Sequence, residues 1–474
     1  MHRRKIAAGS WILDNSAPKP CVDSELMAPT ISAPGEVDPV IRRLAHLARQ
    51  AVAQNDLAAA QSLFEAVLGA YPGHPDASSF LILRSLEAND VQRALDIAQR
   101  ALDAAPTADL HFLHGRALEA SSEHVRARDA FARTYALEPR YFPALFYQGV
   151  QEEHLGMTSA SRRTFHRALA LAQQAGALDA AARRPADLQR QIDHAIQVLH
   201  DAEFAVMEAE LAPVRERHGA QALTRIEQAI AMYLGDRATE WPHPLQRPTF
   251  MLIPGLEPLP WFEREDFPFL ASIEQQTAAI REELLAILAD ESSLSPYVDM
   301  PTDAPAEAVW RSLNRSRAWS SYHLFRHGER IEAHCQRCPD TTASLESIPL
   351  MHVAEHSPEA LFSLLKAGAR IPPHTGVLNG RLTVHLPLVV PADCGALKVG
   401  GEARSWTEGR CLIFDDSFVH EAWNTSDQDR AVLIFDVWDP RLSQAEREAI
   451  AAVVPAIGRY NRDNYATDPT HETL

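Results

Sequence analysis

Basic residues, cysteines and long apolar runs are all scarce in this chain of 474 residues, and each scarcity removes a class of function. Lys and Arg number 45 against 63 Asp and Glu, a net charge of −18, which disfavours nucleic acid or an anionic membrane surface as the main partner. No uninterrupted apolar window of about 18 residues occurs, so no membrane segment is expected. The opening MHRRKIAAGSWILDNS sets basic residues before apolar ones, as a secretory leader does, but Gly9, Ser10 and Asp14 break the apolar run. A soluble, cytoplasmic protein is expected. The cysteines (Cys21, Cys335, Cys338, Cys394 and Cys411) are odd in number and scattered, which points to free thiols in a reducing compartment. Cys335 and Cys338 form a CxxC in HCQRCPDT, with neither the second pair that zinc needs nor a thioredoxin-like setting, so they read as two loop thiols.

What is present divides the chain into parts. Its length exceeds the usual single domain, and 46% hydrophobic residues mark it as globular. Residues 1–38, rich in Pro, Ser and small residues, predict a flexible tail. From there to about Leu234 the composition turns to Ala, Leu, Arg, Glu and Gln with helical periodicity. A repeat lies within it: Ala60, Ala94 and Ala127 are spaced by 34 and then 33 residues, and each precedes a proline (Pro72, Pro106, Pro139) by 12. Gly115 and Gly149 are likewise 34 apart. The pattern resembles the tetratricopeptide repeat, with about four units across residues 39–176, which implies an α-solenoid whose groove receives an extended segment or helix. Capping or dimerising the other half is the alternative role. Residues 177–240 read as a helical extension and linker, and the run that follows, WPHPLQRPTFMLIPGLEPLPWF, holds Pro242, Pro244, Pro248, Pro254, Pro258 and Pro260, too many for a helix, and marks the domain junction.

Residues 241–474 predict mixed β structure with a few covering helices. FLASIEQQTAAIREELLAILA, Phe269 to Ala289, has the spacing of one amphipathic helix. From His374 to Asp436 short β-prone runs alternate with Gly, Asp and Asn turns and carry histidines at strand ends. His374, His385 and His420 are metal-ligand candidates, but Gly376 stands where an HxD carboxylate would complete a two-histidine, one-carboxylate iron site. Arg430, ten residues past His420, offers the bidentate fork that a dicarboxylate cosubstrate needs.

The motifs IPGLEPLPWF, CPDTTASLE, HTGVLNGRLTVHLPLVVP, FDDSFVHEAWN and LIFDVW resemble the aspartyl/asparaginyl β-hydroxylases over roughly residues 250 to 445. The resemblance implies a double-stranded β-helix (jelly-roll, cupin-like) and an oxygenase using Fe(II), 2-oxoglutarate and O2 to hydroxylate the β-carbon of Asp or Asn in a peptide or protein, which the repeat groove presents. It places iron on His374 and His420, with water completing the coordination in this carboxylate-free branch. It assigns 2-oxoglutarate to Arg430, helped by Ser363 and His385, with Arg381 nearby. Animal relatives have arginine where this chain has Thr383, which separates its cosubstrate or substrate contacts from theirs. His385 on its strand also fits a plain core histidine, and Asp415 and Asp416 fit either a tight turn before His420 or partners that orient it. Bacterial relatives that hydroxylate lipid usually carry a membrane segment and the missing carboxylate, and a repeat scaffold with a decayed barrel is the remaining alternative.

Overall fold

The computed structural model describes residues 38–179, 184–300 and 310–465. The stretch read as a tail lies outside them except for Asp38. The described residues fall into two compact units, one ending at Ala202 and one spanning Glu203–Tyr460.

The first unit contains the helices α1 (Pro39–Ala53), α2 (Leu57–Ala70), α3 (Pro75–Glu87), α4 (Val91–Ala104), α5 (Ala108–Ala120), α6 (His124–Leu137), α7 (Pro143–His154) and α8 (Thr158–Gln174), paired as four hairpins. Local chemistry starts and stops them. Asp38, Asp56, Asp90 and Thr107 accept backbone N–H bonds at the N-termini of α1, α2, α4 and α5. Each hairpin turns on one left-handed residue, Asn55, Asn89, Ser122 and Gly156, which recur at the same period as the alanines. Gly115 and Gly149 are needed for contact: a Cβ at either position would run into the ring of Phe131 or Phe165. The alanines Ala60, Ala94, Ala98 and Ala101 are fully buried, so the helices approach closely.

The helix α9 (Ala186–His218) runs across the unit boundary. In the second unit its end and α10 (Thr224–Tyr233) form a core with residues 251–256 and the C-terminal helix. Then come β1 (Trp261–Phe262), α11 (Leu270–Gln275), α12 (Thr277–Leu288), β2 (Ser295–Pro296), β3 (Trp319–Arg326), β4 (Glu329–Arg330), α13 (Glu332–Arg337) and α14 (Pro339–Glu346). The strands β5 (Ala360–Leu365), β6 (Arg370–His374), β7 (Arg381–Val389), β8 (Gly395–Val399), β9 (Glu402–Arg404), β10 (Leu412–Phe414), β11 (His420–Asn424) and β12 (Arg430–Trp438) follow, then α15 (Gln444–Tyr465). The single helix expected over 269–289 is two, broken at Gln276, where Thr277 Oγ1 donates to the Glu274 carbonyl at 2.6 Å.

Among the described residues the strands build two antiparallel sheets, one ordered β1-β10-β7-β12-β5-β3-β2 with β4 beside β3, the other β6-β11-β8-β9. Strand alternation gives the large sheet two apolar faces. Phe362, Leu364, Val384, Leu386, Leu433 and Phe435 pack under α11, α12 and α14. The opposite face contributes Trp319, Leu365, Phe414 and Val432 to a cluster shared with Ile371, Leu397 and Ala422 of the small sheet. Of the two cysteines read as loop thiols, Cys335 lies in α13 and Cys338 at the break before α14; both are buried in the first of these cores, where burial raises the Cys338 thiol up to about 12.

Candidate functional site

His374 ends β6 and His420 begins β11, and the two strands pair them directly opposite each other. Their ring centroids are 4.0 Å apart with a 52° tilt between planes. Each ring is fixed by the backbone just before it. The Nδ1–H of His374 donates to the Pro372 carbonyl at 2.8 Å and that of His420 to the Phe418 carbonyl at 2.9 Å. Each bond settles the tautomer and leaves Nε2 with its lone pair, the form a metal ligand takes. Burial, and then His420 itself, pulls His374 down to about 3, and burial lowers His420 as well, so both rings are neutral near pH 7.

Gly376, two residues on, has no room for a ligand. A side chain there would fall inside the carboxylate of Asp416, which is 6% exposed. Asp415 makes the turn, accepting from Ser417 N at 2.9 Å, but Asp416 does more. Its carboxylate binds an Arg381 Nη and accepts from Thr383 Oγ1 at 3.3 Å. Arg381 Nη1 also lies 3.9 Å from Asp436, a carboxyl that burial raises to about 6.

Arg430 opens β12 and is 1% exposed, with Nε and Nη1 lacking any partner. Its guanidinium lies 4.5 Å from the centre of the Trp406 ring. Burial without a carboxylate partner pulls it to about 10. Trp406 Nε1–H also reaches Nδ1 of His385 at 3.4 Å, which places the His385 hydrogen on Nε2. Burial and the charge of Arg430 hold His385 neutral. Ser363 Oγ, on β5, accepts from Trp319 Nε1 at 3.0 Å and keeps its own O–H for another acceptor.

The six residues singled out from sequence therefore stand on the strands β5, β6, β7, β11 and β12, with His420 within electrostatic reach of His374, His385 and Arg381. The sequence reads Trp406 only as a core or rim aromatic and gives no role to Trp319 or to Trp310, whose ring centroid lies 4.9 Å from that of His374 in an edge-on arrangement. Their one signal is Trp319 falling two residues before Ser321, on the same strand face, with Ser321 paired opposite Ser363.

These donors suit an iron ion and an organic dicarboxylate. Imidazole nitrogens are good iron ligands, and a buried guanidinium with unused N–H groups is an anion site lacking its anion. Among the described residues no group of three or more His, Cys, Asp and Glu side chains could hold a metal.

Comparison with known proteins shows what the chain is similar to. Residues 274–440 match the family described as Aspartyl/Asparaginyl beta-hydroxylase, and residues 51–120 match the tetratricopeptide repeat. The chain thus carries an aspartyl/asparaginyl β-hydroxylase domain together with tetratricopeptide repeats. It is 35% identical over 188 residues to the ornithine lipid ester-linked acyl 2-hydroxylase of Rhizobium tropici, covering 39% of this chain and 63% of that protein. It is 32% identical over 202 residues to the aspartyl/asparaginyl beta-hydroxylase of Homo sapiens, covering 42% of this chain and 25% of that one. Aspartate beta-hydroxylase domain-containing protein 2 of Xenopus tropicalis is 30% identical over 246 residues, 50% of this chain and 62% of that one. The chain thus spans less than two thirds of the length of each of these relatives. The relatives are hydroxylases, which makes an oxygenase the class of enzyme to test. Among the described residues no helix is long and apolar enough to cross a membrane.

Proposed function

We propose that the chain is an Fe(II)- and 2-oxoglutarate-dependent dioxygenase that hydroxylates the β-carbon of Asp or Asn in a peptide or protein, inside a double-stranded β-helix made by its two sheets. One observation carries this reading: two neutral, backbone-anchored histidines face each other in the same interior as a buried arginine without a counter-ion. Bound iron would supply the activation of O2, one oxygen atom entering the succinate made from 2-oxoglutarate as CO2 leaves, the other entering the substrate C–H bond.

His374 and His420 hold the metal through Nε2, and the Pro372 and Phe418 carbonyls keep them in that tautomer. Arg430 takes the distal carboxylate of 2-oxoglutarate, with the free O–H of Ser363 as a further donor. Trp406 supports the guanidinium and turns His385 so that its Nε2–H serves the cosubstrate. Arg381 assists indirectly, by fixing the Asp416 carboxylate against Gly376. The apolar lining from Trp319, Phe414 and Val432 keeps bulk water from the reacting centre. Peptide substrates are favoured because the repeats, matched over 51–120, are a peptide-binding architecture. A second reading, hydroxylation at the 2-position of an ester-linked acyl chain, is favoured by the 35% identity to the Rhizobium tropici protein.

With Fe(II) and ascorbate, the purified 474-residue chain is expected to convert 2-oxoglutarate to succinate. His420→Ala abolishes the conversion, and Arg430→Met raises the KM for 2-oxoglutarate by about tenfold or more through loss of a charge-assisted pair. Wild-type turnover at background, or turnover intact in His420→Ala, contradicts the proposal.

A further inference from the structure

The first helices of the repeat hairpins carry a row of charges that is broken at one step. Six residues before the left-handed turn residues Asn55, Asn89 and Ser122 stand Arg49 in α1, Leu83 in α3 and Arg116 in α5. Thirteen residues before Asn89 and Ser122 stand Asp76 and Asp109. Arg49 binds Asp76 of the next hairpin. At the following step the arginine position holds Leu83, and Asp109 is left over. Among the described residues no hydrogen bond or ion pair reaches its carboxylate, and burial alone raises it above the usual carboxylate range. Arg116 is not available to it. In the fourth hairpin the aspartate position is Pro143, and the Arg116 guanidinium is taken up by Glu119, Tyr147 and Asp187 of α9.

The surroundings of the broken step suit the side chain that is missing. Leu83 is 48% exposed, an aliphatic surface of the kind that the stem of a long basic side chain covers. Phe112, one turn after Asp109, sets its ring 5.1 Å from that of Tyr141, and the charge of Asp109 reaches Tyr141. Both rings are partly exposed, and an aromatic face attracts a cation as well. A carboxylate partly withdrawn from water without a counter-ion is costly, and a charge-assisted hydrogen bond offsets that cost. An acidic side chain placed here meets repulsion. An apolar one covers Leu83 and leaves Asp109 further desolvated.

We infer that this face of the repeats is a binding site for an extended peptide segment carrying Arg or Lys, whose aliphatic stem lies on Leu83 and whose charge pairs with Asp109. A repeat stack offers such a face to an extended chain. The ligand supplies the cation that Arg49 supplies to Asp76. The site lies wholly in the first unit and needs neither metal nor cosubstrate, so it stands or falls apart from the oxygenase reading.

The 474-residue chain, immobilised without added metal, is offered pools of short randomised peptides that differ only in a central Arg, Lys, Met or Glu, and retained peptide is quantified by mass spectrometry. Retention of the Arg and Lys pools is expected to exceed that of the Met pool by about tenfold, the worth of one charge-assisted pair, with the Glu pool retained least. Asp109→Asn is expected to bring the Arg and Lys pools down to the Met level. Leu83→Arg is expected to do the same by completing the row within the chain, and it tests the same point should Asp109→Asn fail to fold by circular dichroism. Asp103→Asn, which removes one charge from α4, is expected to leave the preference intact. Equal retention of the Arg, Lys and Met pools, or retention of none, overturns the assignment. So does a preference that survives in either folded variant, Asp109→Asn or Leu83→Arg. Loss of the preference in Asp103→Asn overturns it too, because the attraction is then that of the net charge of −18 and not of a site.

Discussion

Gly376 occupies the position where a third ligand is expected from sequence, and the fold explains why no side chain is tolerated there. The space already belongs to Asp416, delivered from the turn before β11. Gly376→Asp is therefore expected to destabilise the protein by about 1–3 kcal/mol through overpacking, and not to tighten metal binding. Urea midpoints and Mn(II) titration check both halves. A second residue-scale expectation concerns Asp436, whose buried carboxyl titrates near 6, above its value in the unfolded chain. A raised carboxyl makes the folded state bind the proton more tightly, so its contribution to stability falls as pH rises from about 4 through 6. Asp436→Asn lacks this fall. Its stability relative to wild type, measured by urea unfolding, is expected to improve between pH 4 and pH 7, and a difference independent of pH would refute the assignment. At this scale the motifs drew attention to His374, His420 and Arg430. Asp416 was ambiguous because its partners Arg381 and Thr383 lie more than 30 residues away in sequence, and only strand pairing brings them together.

At the scale of elements, the helical repeat was legible because close packing demands small residues at a fixed period. The contacts behind that period were not legible, and they make opposite predictions for two glycines in helices. Gly149→Ala is expected to destabilise, since the added methyl meets the Phe165 ring, at a cost of about 1–3 kcal/mol. Gly69→Ala, with nothing within 4 Å, is expected to stabilise by about 0.5–1 kcal/mol from helix propensity alone. Thermal unfolding of the two variants separates these signs. The break between α11 and α12 left no mark on the apolar spacing. It arises from Thr277 capping Glu274, whose carboxylate is held by Arg264 and by Cys411 N, a contact across 137 residues.

For the whole molecule, composition located the two kinds of structure, and proline density marked a linker before residue 261. It could not show how residues 203–234 pack. Met207, Leu211, Val214 and Ile226 lie in one core with Met251 and with Ile450 and Ile457 of α15. Arg225 adds a two-pronged bond to Glu446, both contacts at 2.6 Å. A fragment starting at residue 241 loses all of these and is expected to be insoluble or to unfold without cooperativity, whereas one starting at Arg184 keeps them. Circular dichroism melts distinguish the two. The claim that matters most is that His374, His420 and Arg430 together hold iron and 2-oxoglutarate. It is tested most directly by adding Fe(II) and then 2-oxoglutarate without oxygen and watching for the visible charge-transfer band of the chelate. The band is predicted in the wild-type protein, absent in His374→Ala and His420→Ala, and reached only at higher 2-oxoglutarate in Arg430→Met. A folded wild-type protein without the band, or a band unchanged in His420→Ala, would contradict it.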